Sequence, residues 1–260
     1  MRDSFAILFR VVPAFLLTVA GGLISALVGI SHQKLCGLIS LTAGTLMGVT
    51  LFSILPESAA DMKWWEPAIA LGSGYVVFSL ITKYVYHVCP TCAASHFDEA
   101  TTHRFGKIAT ALTIALAVHS TLDGVALAAG REAGQVTIRS GPGKLDLSVL
   151  LAVRVHKVSE GLALGALLLG AGFKGLKAVA SVAAVEVTTV VCGVLGLGVL
   201  RAVSLFRLGA VLAHAGGGFV FLAAHAVLGK MVKHNKLAIV ISFVTGVVVI
   251  ALLNLMIRAL

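Results

Sequence analysis

Two short segments of the sequence each place a histidine and a carboxylate four residues apart within an apolar run. The first contains His119 and Asp123, the second contains His156 and Glu160, and a glycine directly follows each acid. On a helix this spacing puts the imidazole and the carboxylate on one face, one turn apart. Ionisable side chains within a membrane span are costly and mark a functional site by default. Together the segments offer two imidazoles and two carboxylates as ligands for a divalent metal ion.

The chemistry of these four side chains narrows the metals that such a site would accept. Zinc is commonly held by four nitrogen, oxygen or sulfur ligands, and this set contains no thiolate. Imidazole and carboxylate together also suit iron(II), manganese, cobalt and cadmium. Two carboxylates neutralise a divalent cation, which lowers the cost of holding it within a membrane. The alternative interpretation is that the two pairs only hydrogen-bond to each other between helices.

The composition predicts that the elements carrying these residues are membrane helices. Of the 260 residues, 58% are hydrophobic and 12% are charged, whereas a soluble domain has roughly 25% charged residues. Apolar runs of about 20 residues recur along the whole length, so we predict one transmembrane domain over residues 1–260, surrounded by the lipid bilayer. The formal charge of +9 is attributed to lysine and arginine at span edges, and no basic soluble surface for nucleic acid is visible.

The predicted fold is an all-α membrane protein with about eight transmembrane helices in a bundle, since the apolar runs are too long and continuous for barrel strands. The paired motifs lie on the fourth and fifth spans, so the metal site would lie between helices 4 and 5. Consecutive spans run antiparallel, so similar motifs on them predict inverted-repeat symmetry with the substrate near the middle of the bilayer. The predicted spans are 5–30, 35–56, 67–88, 107–130, 147–171, 175–200, 208–229 and 236–258.

The connection 89–106 carries residue types that bind metals. Cys89 and Cys92 have the spacing of a pair of metal ligands, and His96 and His103 follow them. A CxxC pair on its own is only suggestive, and the alternative is an unstructured loop. The distribution of lysine and arginine does not determine which side of the membrane is cytoplasmic.

Beyond the two motifs of the form His-x-x-x-acid-Gly, the second span ends in Phe52-Ser53-Ile-Leu-Pro56-Glu57. In these features the chain resembles the ZIP family, the zinc-regulated and iron-regulated transporter-like proteins. The second span of that family ends in a Leu-Pro-Glu turn preceded by a polar residue, and its fourth and fifth spans carry the paired motifs. The resemblance covers nearly the full chain and includes the longer loop after span three, which is cytoplasmic in the family.

The resemblance also implies a set of metal-site residues. Ser53 would be an auxiliary oxygen ligand from span two, and Glu186 in span six would match a carboxylate that some members place beside a second metal. By itself, Glu186 could equally be a structural charge satisfied by a neighbour. The residues that the resemblance places at the primary transport site are His119, Asp123, His156 and Glu160.

Several positions depart from the family pattern. Leu122 and Ser159 stand where many bacterial members have a proline, so a helix kink would be weaker, and Ser120 stands where a side-chain amide is often found. Lys157 stands where two-metal members carry another carboxylate. An ammonium group has no lone pair and repels a cation, so we predict one metal, with Lys157 in the second metal's place and paired to Glu186. The alternative is that Lys157 snorkels toward a membrane interface.

Three classes of function are compatible with a buried metal site. The first is transport of divalent metal cations, zinc in particular, toward the cytoplasm by alternating access, which the resemblance implies and which is not an enzyme activity. The second is an intramembrane zinc-dependent hydrolase with Glu160 or Glu186 as general base, but the sequence lacks a His-Glu-x-x-His motif. The third is a receptor or scaffold, which leaves the intramembrane ligands unexplained. We favour a transporter in the cell membrane. A homodimer is compatible with this assignment.

Overall fold

The part of the chain that the structure describes is almost entirely helical. The computed structural model describes residues 2–28, 32–59, 62–86, 102–136, 144–200, 203–231 and 236–259. These residues form eight helices and no strand, which confirms the predicted all-α class and helix number. The helices are α1 (Arg2–Val28), α2 (His32–Val49, continued by the π-helical Thr50–Ile54 and by Leu55–Ser58), α3 (Glu66–Leu80, continued by the π-helical Ile81–Tyr86), α4 (Thr102–Val136), α5 (Lys144–Gly170), α6 (Gly175–Leu200), α7 (Leu205–Met231) and α8 (Lys236–Ala259).

Five segments of these helices are long and apolar enough to cross a membrane. α4 and α5 are less apolar than most of the others because they carry the ionisable residues of the motifs, and the α-helical part of α3 has only 15 residues. Leucine, isoleucine, valine and methionine side chains are exposed along α6 and α8, which suits contact with lipid. The protein is therefore an integral, multi-pass membrane protein. The five segments are Ala6–Val28, Gly37–Ser58, Gly175–Leu200, Phe206–His225 and Leu237–Met256.

The fourth helix is longer at both ends than its hydropathy predicts. It covers Thr102–Val136, whereas the predicted span is 107–130. Hydropathy marks only the part of a helix that lies in hydrocarbon, and polar residues can continue the same helix into water. The interpretation of 89–106 as a loop is therefore wrong at its C-terminal end, where α4 has already begun. The residues of this connection that lie outside the described part of the chain include Cys89, Cys92 and His96.

The glycine that follows the acid in each motif lets its helix touch the backbone of a neighbouring helix. A Cβ atom at Gly124 would overlap the carbonyl oxygen of Thr189 in α6, and a Cβ atom at Gly161 would overlap the carbonyl oxygen of Thr18 in α1. Small residues allow this close approach of helices in membranes. α4 therefore packs directly on α6, and α5 packs directly on α1.

Two further helix pairs are packed through glycine in the same way. A Cβ atom at Gly44 in α2 would overlap the backbone of Phe243 in α8, and a Cβ atom at Gly217 in α7 would overlap that of Leu71 in α3. Close contacts at glycine therefore join α4 to α6, α5 to α1, α2 to α8 and α7 to α3. This arrangement is compatible with the inverted repeat, which stays a prediction.

Candidate metal centre

The ionisable side chains of the two motifs converge from α4 and α5. His119, Asp123, His156 and Glu160 are all buried, and one ligand-type atom from each lies within 4.8 Å of the others. Nε2 of His156 lies 3.2 Å from Oδ2 of Asp123, and Nε2 of His119 lies 3.5 Å from the same oxygen. Nε2 of His156 is also 3.9 Å from Oε2 of Glu160. Because four ligand-type atoms share so small a volume, this cluster could hold a divalent ion.

Two of these side chains keep a buried polar atom unsatisfied. Nδ1 of His119 and Oδ1 of Asp123 have no hydrogen-bond partner among the described residues. A buried polar atom without a partner costs about 1–3 kcal/mol, and a cation held by the cluster would satisfy the open carboxylate oxygen of Asp123. This open oxygen and the nitrogen and oxygen chemistry of the cluster therefore fit a divalent metal ion.

An ammonium group lies at the centre of the carboxylates. Lys157 is fully buried, and its Nζ lies 2.7 Å from Oδ2 of Asp123, 2.7 Å from Oε2 of Glu160 and 2.9 Å from Oε2 of Glu186. The predicted pairing of Lys157 with Glu186 is confirmed. The snorkelling alternative is wrong, because three converging carboxylates hold the ammonium group inside the protein.

Glu186 is connected to the cluster through Lys157 and Ser120. It is fully buried in α6, and its Oε2 atom is shared by Lys157 and by the hydroxyl of Ser120, which donates at 3.4 Å. The hydroxyl has a single proton, which it can share between this oxygen and Oε1 of Glu160 at 3.1 Å, and its oxygen accepts from Nζ of Lys157 at 3.1 Å. From the sequence, Ser120 was only a departure from the family pattern. The structure shows that it joins the carboxylates of α5 and α6.

Ser53 lies in the π-helical turn of α2 and is held from α8. Nδ2 of Asn254 donates to Oγ of Ser53 and to the carbonyl oxygen of Phe52, both at 2.7 Å. Pro56 follows Phe52 by four residues and has no N–H to donate, so an α-helical bond to that carbonyl is lost and the Asn254 amide supplies a donor. The structure thus places Ser53 in contact with α8. No pattern in the sequence indicates that Asn254 makes this contact.

An aromatic side chain that the sequence analysis also missed covers the two imidazoles. Phe219 in α7 is fully buried, and its ring centroid lies 6.2 Å from that of His119 and 6.4 Å from that of His156. The two imidazole centroids are 5.5 Å apart. The sequence signal is the run of glycines at 216–218, whose small size predicts close packing. It does not reveal which side chain that packing brings to the cluster.

Comparison with known proteins agrees with the resemblance that the motifs indicate. The sequence model of the family described as ZIP zinc transporter matches residues 86–254, which is more than half of the chain. The matched range contains both motifs, Lys157, Glu186 and Phe219, whereas Ser53 lies outside it. No curated protein matches the chain.

Proposed function

The chain belongs to the ZIP zinc transporter family, and on that premise we propose that it carries divalent metal ions, zinc above all, through the buried cluster of its paired motifs. The family consists of transporters, so the chain is a transporter and not an enzyme, and the hydrolase alternative is set aside. The observation that carries the proposal is the convergence of four buried ligand-type atoms within 4.8 Å of one another. The residues concerned are His119, Asp123, His156 and Glu160.

The ligand chemistry supports zinc as the principal substrate. Two imidazole nitrogens and two carboxylate oxygens are a set that tetrahedral zinc accepts. The absence of thiolate ligands from the cluster leaves a site from which an ion can depart, as transport requires. Iron(II), manganese, cobalt and cadmium share part of this ligand preference and are the competing substrates to test.

The position of Lys157 supports a single metal per chain. Its ammonium group lies within 2.9 Å of carboxylate oxygens of Asp123, Glu160 and Glu186, so the bound ion shares Asp123 and Glu160 with this positive charge, and a second cation would meet further repulsion from it. Glu186 and Ser53 remain predicted auxiliary ligands. Glu186 retains one oxygen, Oε1, that is buried without a partner among the described residues, whereas Oγ of Ser53 accepts from Asn254.

The remaining parts of the proposal rest on the resemblance. We propose one transmembrane domain over the whole chain, alternating access to the cluster, and transport toward the cytoplasm across the cell membrane. The connection 89–106, shortened by the start of α4, is proposed to be cytoplasmic, with its cysteines and histidines able to bind metal. Assembly as a homodimer stays a prediction.

Flux into liposomes tests the proposal directly. Reconstituted wild-type protein is expected to move zinc, and His156→Ala and Glu160→Ala are each expected to lose most of that flux because each removes a ligand. His214→Ala is the matched control, since His214 lies in α7 and its Nδ1 is hydrogen-bonded to Ser73 at 2.8 Å. Wild-type flux no higher than that of empty liposomes, or full flux in His156→Ala and Glu160→Ala, would overturn the proposal.

A further inference from the structure

The imidazole side of the cluster is closed by hydrocarbon. The ring of Phe219 is edge-on to His119, with 77° between the planes, and tilted by 59° to His156. With the two imidazoles it forms a triangle of three buried rings, with centroid separations of 5.5, 6.2 and 6.4 Å. α7 therefore presents to both imidazoles a side chain that can neither bind a metal ion nor hold a water molecule.

Packing is what orients the His119 ring in the described structure. A metal-binding histidine almost always donates its second ring nitrogen to a carboxylate, a carbonyl or water, which fixes the ring. Nδ1 of His119 has no such partner among the described residues, and its Nε2 is 3.5 Å from Asp123. The Phe219 ring thus limits rotation of the imidazole in place of the usual hydrogen bond.

The position of Phe219 is itself set by the three glycines that precede it. A Cβ atom at Gly217 would overlap the backbone of Leu71 in α3, and one at Gly218 would come within 3.1 Å of the Phe78 ring. A Cβ atom at Gly216 would come within 3.1 Å of Thr50 in the π-helical turn of α2. Helix α7 is therefore seated closely against its neighbours at this level, and this packing holds the backbone of the buried Phe219 next to the imidazoles.

We propose that Phe219 is a positioning residue that sets metal selectivity: it fixes the two imidazoles and excludes further ligands from their side of the ion. This inference rests on the proposed function and specifies its substrate class. An ion bound beside Phe219 has to accept few ligands and lose its water on that side. Zinc accepts four ligands, whereas manganese prefers an octahedral shell rich in oxygen. The site therefore discriminates in favour of ions that are stable with four ligands.

The chain offers a matched control for this proposal. Phe221 lies in the same helix and is also buried, but its ring packs against Tyr75, Phe78 and His225, with centroid distances of 5.4, 6.2 and 4.0 Å. Phe221→Ala removes the same atoms from α7 as Phe219→Ala does, so a general loss of packing affects both variants. Phe219→Leu keeps an apolar side chain at the position and serves as the conservative variant.

Competition flux with zinc and manganese in liposomes tests selectivity, expressed as the ratio of kcat/KM for the two ions. We expect Phe219→Ala to lower this ratio at least about tenfold, the size of effect that one pocket contact can produce, mainly by raising KM for zinc. Phe221→Ala should keep the wild-type ratio, and Phe219→Leu should restore most of it. The visible spectrum of bound cobalt should change from the intense tetrahedral bands of wild type to weak octahedral bands in Phe219→Ala, because water enters the ligand shell.

The outcomes separate this inference from the proposed function. If Phe219→Ala and Phe221→Ala have equal selectivity ratios and the cobalt spectrum of Phe219→Ala is that of wild type, the inference is overturned while zinc transport stands. If Phe219→Ala does not fold, Phe219→Val takes its place, because it also opens space beside the imidazoles. A selectivity ratio of Phe219→Val equal to that of Phe221→Ala then overturns the inference. If wild type binds no more cobalt or zinc than His156→Ala does, the proposed function fails and this inference with it.

Discussion

Three carboxylates meet one ammonium group in the interior of this protein, and this balance of charge is the basis for proposing a single metal ion per chain. Asp123 from α4, Glu160 from α5 and Glu186 from α6 each lie within 2.9 Å of Nζ of Lys157. Three carboxylates gathered around one point would repel one another strongly where water is excluded, and the ammonium group offsets this repulsion. Lys157 therefore compensates the buried carboxylates of the metal-free protein, and under the proposed function it would also oppose a second metal ion.

Replacing Lys157 separates these two effects. Lys157→Met leaves the carboxylates without their buried partner, and breaking a buried pair in this way costs about 3–5 kcal/mol. We expect the metal-free variant to melt at a lower temperature than wild type in detergent, and to bind two zinc ions per chain instead of one. Lys177→Met, at an exposed position of α6, should change neither property. An unaltered melting temperature together with one zinc per chain in Lys157→Met would contradict the role assigned to this residue.

At the scale of the helices, the glycines after the acids place the motifs. Gly124 brings α4 against Thr189 of α6, and Gly161 brings α5 against Thr18 of α1. In lipid there is no hydrophobic force between helices, so such close contacts carry much of the association. A separation of α5 from α1 would move His156 and Glu160 relative to the ligands on α4.

A single methyl group tests this account of the helix contacts. Gly161→Ala adds a Cβ atom that overlaps the backbone of Thr18, so α5 must shift and zinc affinity should fall, with a lower melting temperature. Gly198→Ala in α6 is the control, because no atom lies within 4 Å of a Cβ atom at Gly198. Equal zinc affinity and equal melting temperature for the two variants would show that the contact at Gly161 does not position the motif.

For the whole molecule, the described helices place apolar side chains toward lipid and gather ionisable groups in the interior. Leu252 and Leu255 of α8 are 55% and 63% exposed, whereas Asp123, Lys157 and Glu186 are at 0%. A folded protein with such a centre gains stability from any cation that fits it, because a ligand bound only by the folded state shifts the unfolding equilibrium.

Zinc should therefore raise the melting temperature of the wild-type protein. At a zinc concentration about 100-fold above Kd, the expected stabilisation is about 2.7 kcal/mol. His156→Ala should lose most of this shift, and magnesium should produce none in wild type, because magnesium requires octahedral oxygen ligands and gives up its water reluctantly. An equal shift with magnesium, or an undiminished shift in His156→Ala, would place the stabilising site elsewhere.

Much of the helical framework and the composition of the candidate site follow from local sequence. A carboxylate four residues after a histidine shares its helix face whatever the rest of the fold does, and long apolar stretches must be helical in lipid. The pairing of Lys157 with Glu186 was predictable for a similar reason, since a charge buried in a membrane needs an opposite charge. The ends of α4 were not predictable from hydropathy, because a helix can continue into water.

Only the tertiary structure decided which side chains from distant segments contact the predicted site residues. Asn254 reaches Ser53 from the last helix, Ser120 joins Glu160 to Glu186, and Phe219 covers the imidazoles. These contacts depend on how each helix is rotated about its axis and shifted along it, and these quantities are set by the packing of all the helices together. Local periodicity specifies which residues share a face of one helix, but not which residue of another helix that face will meet.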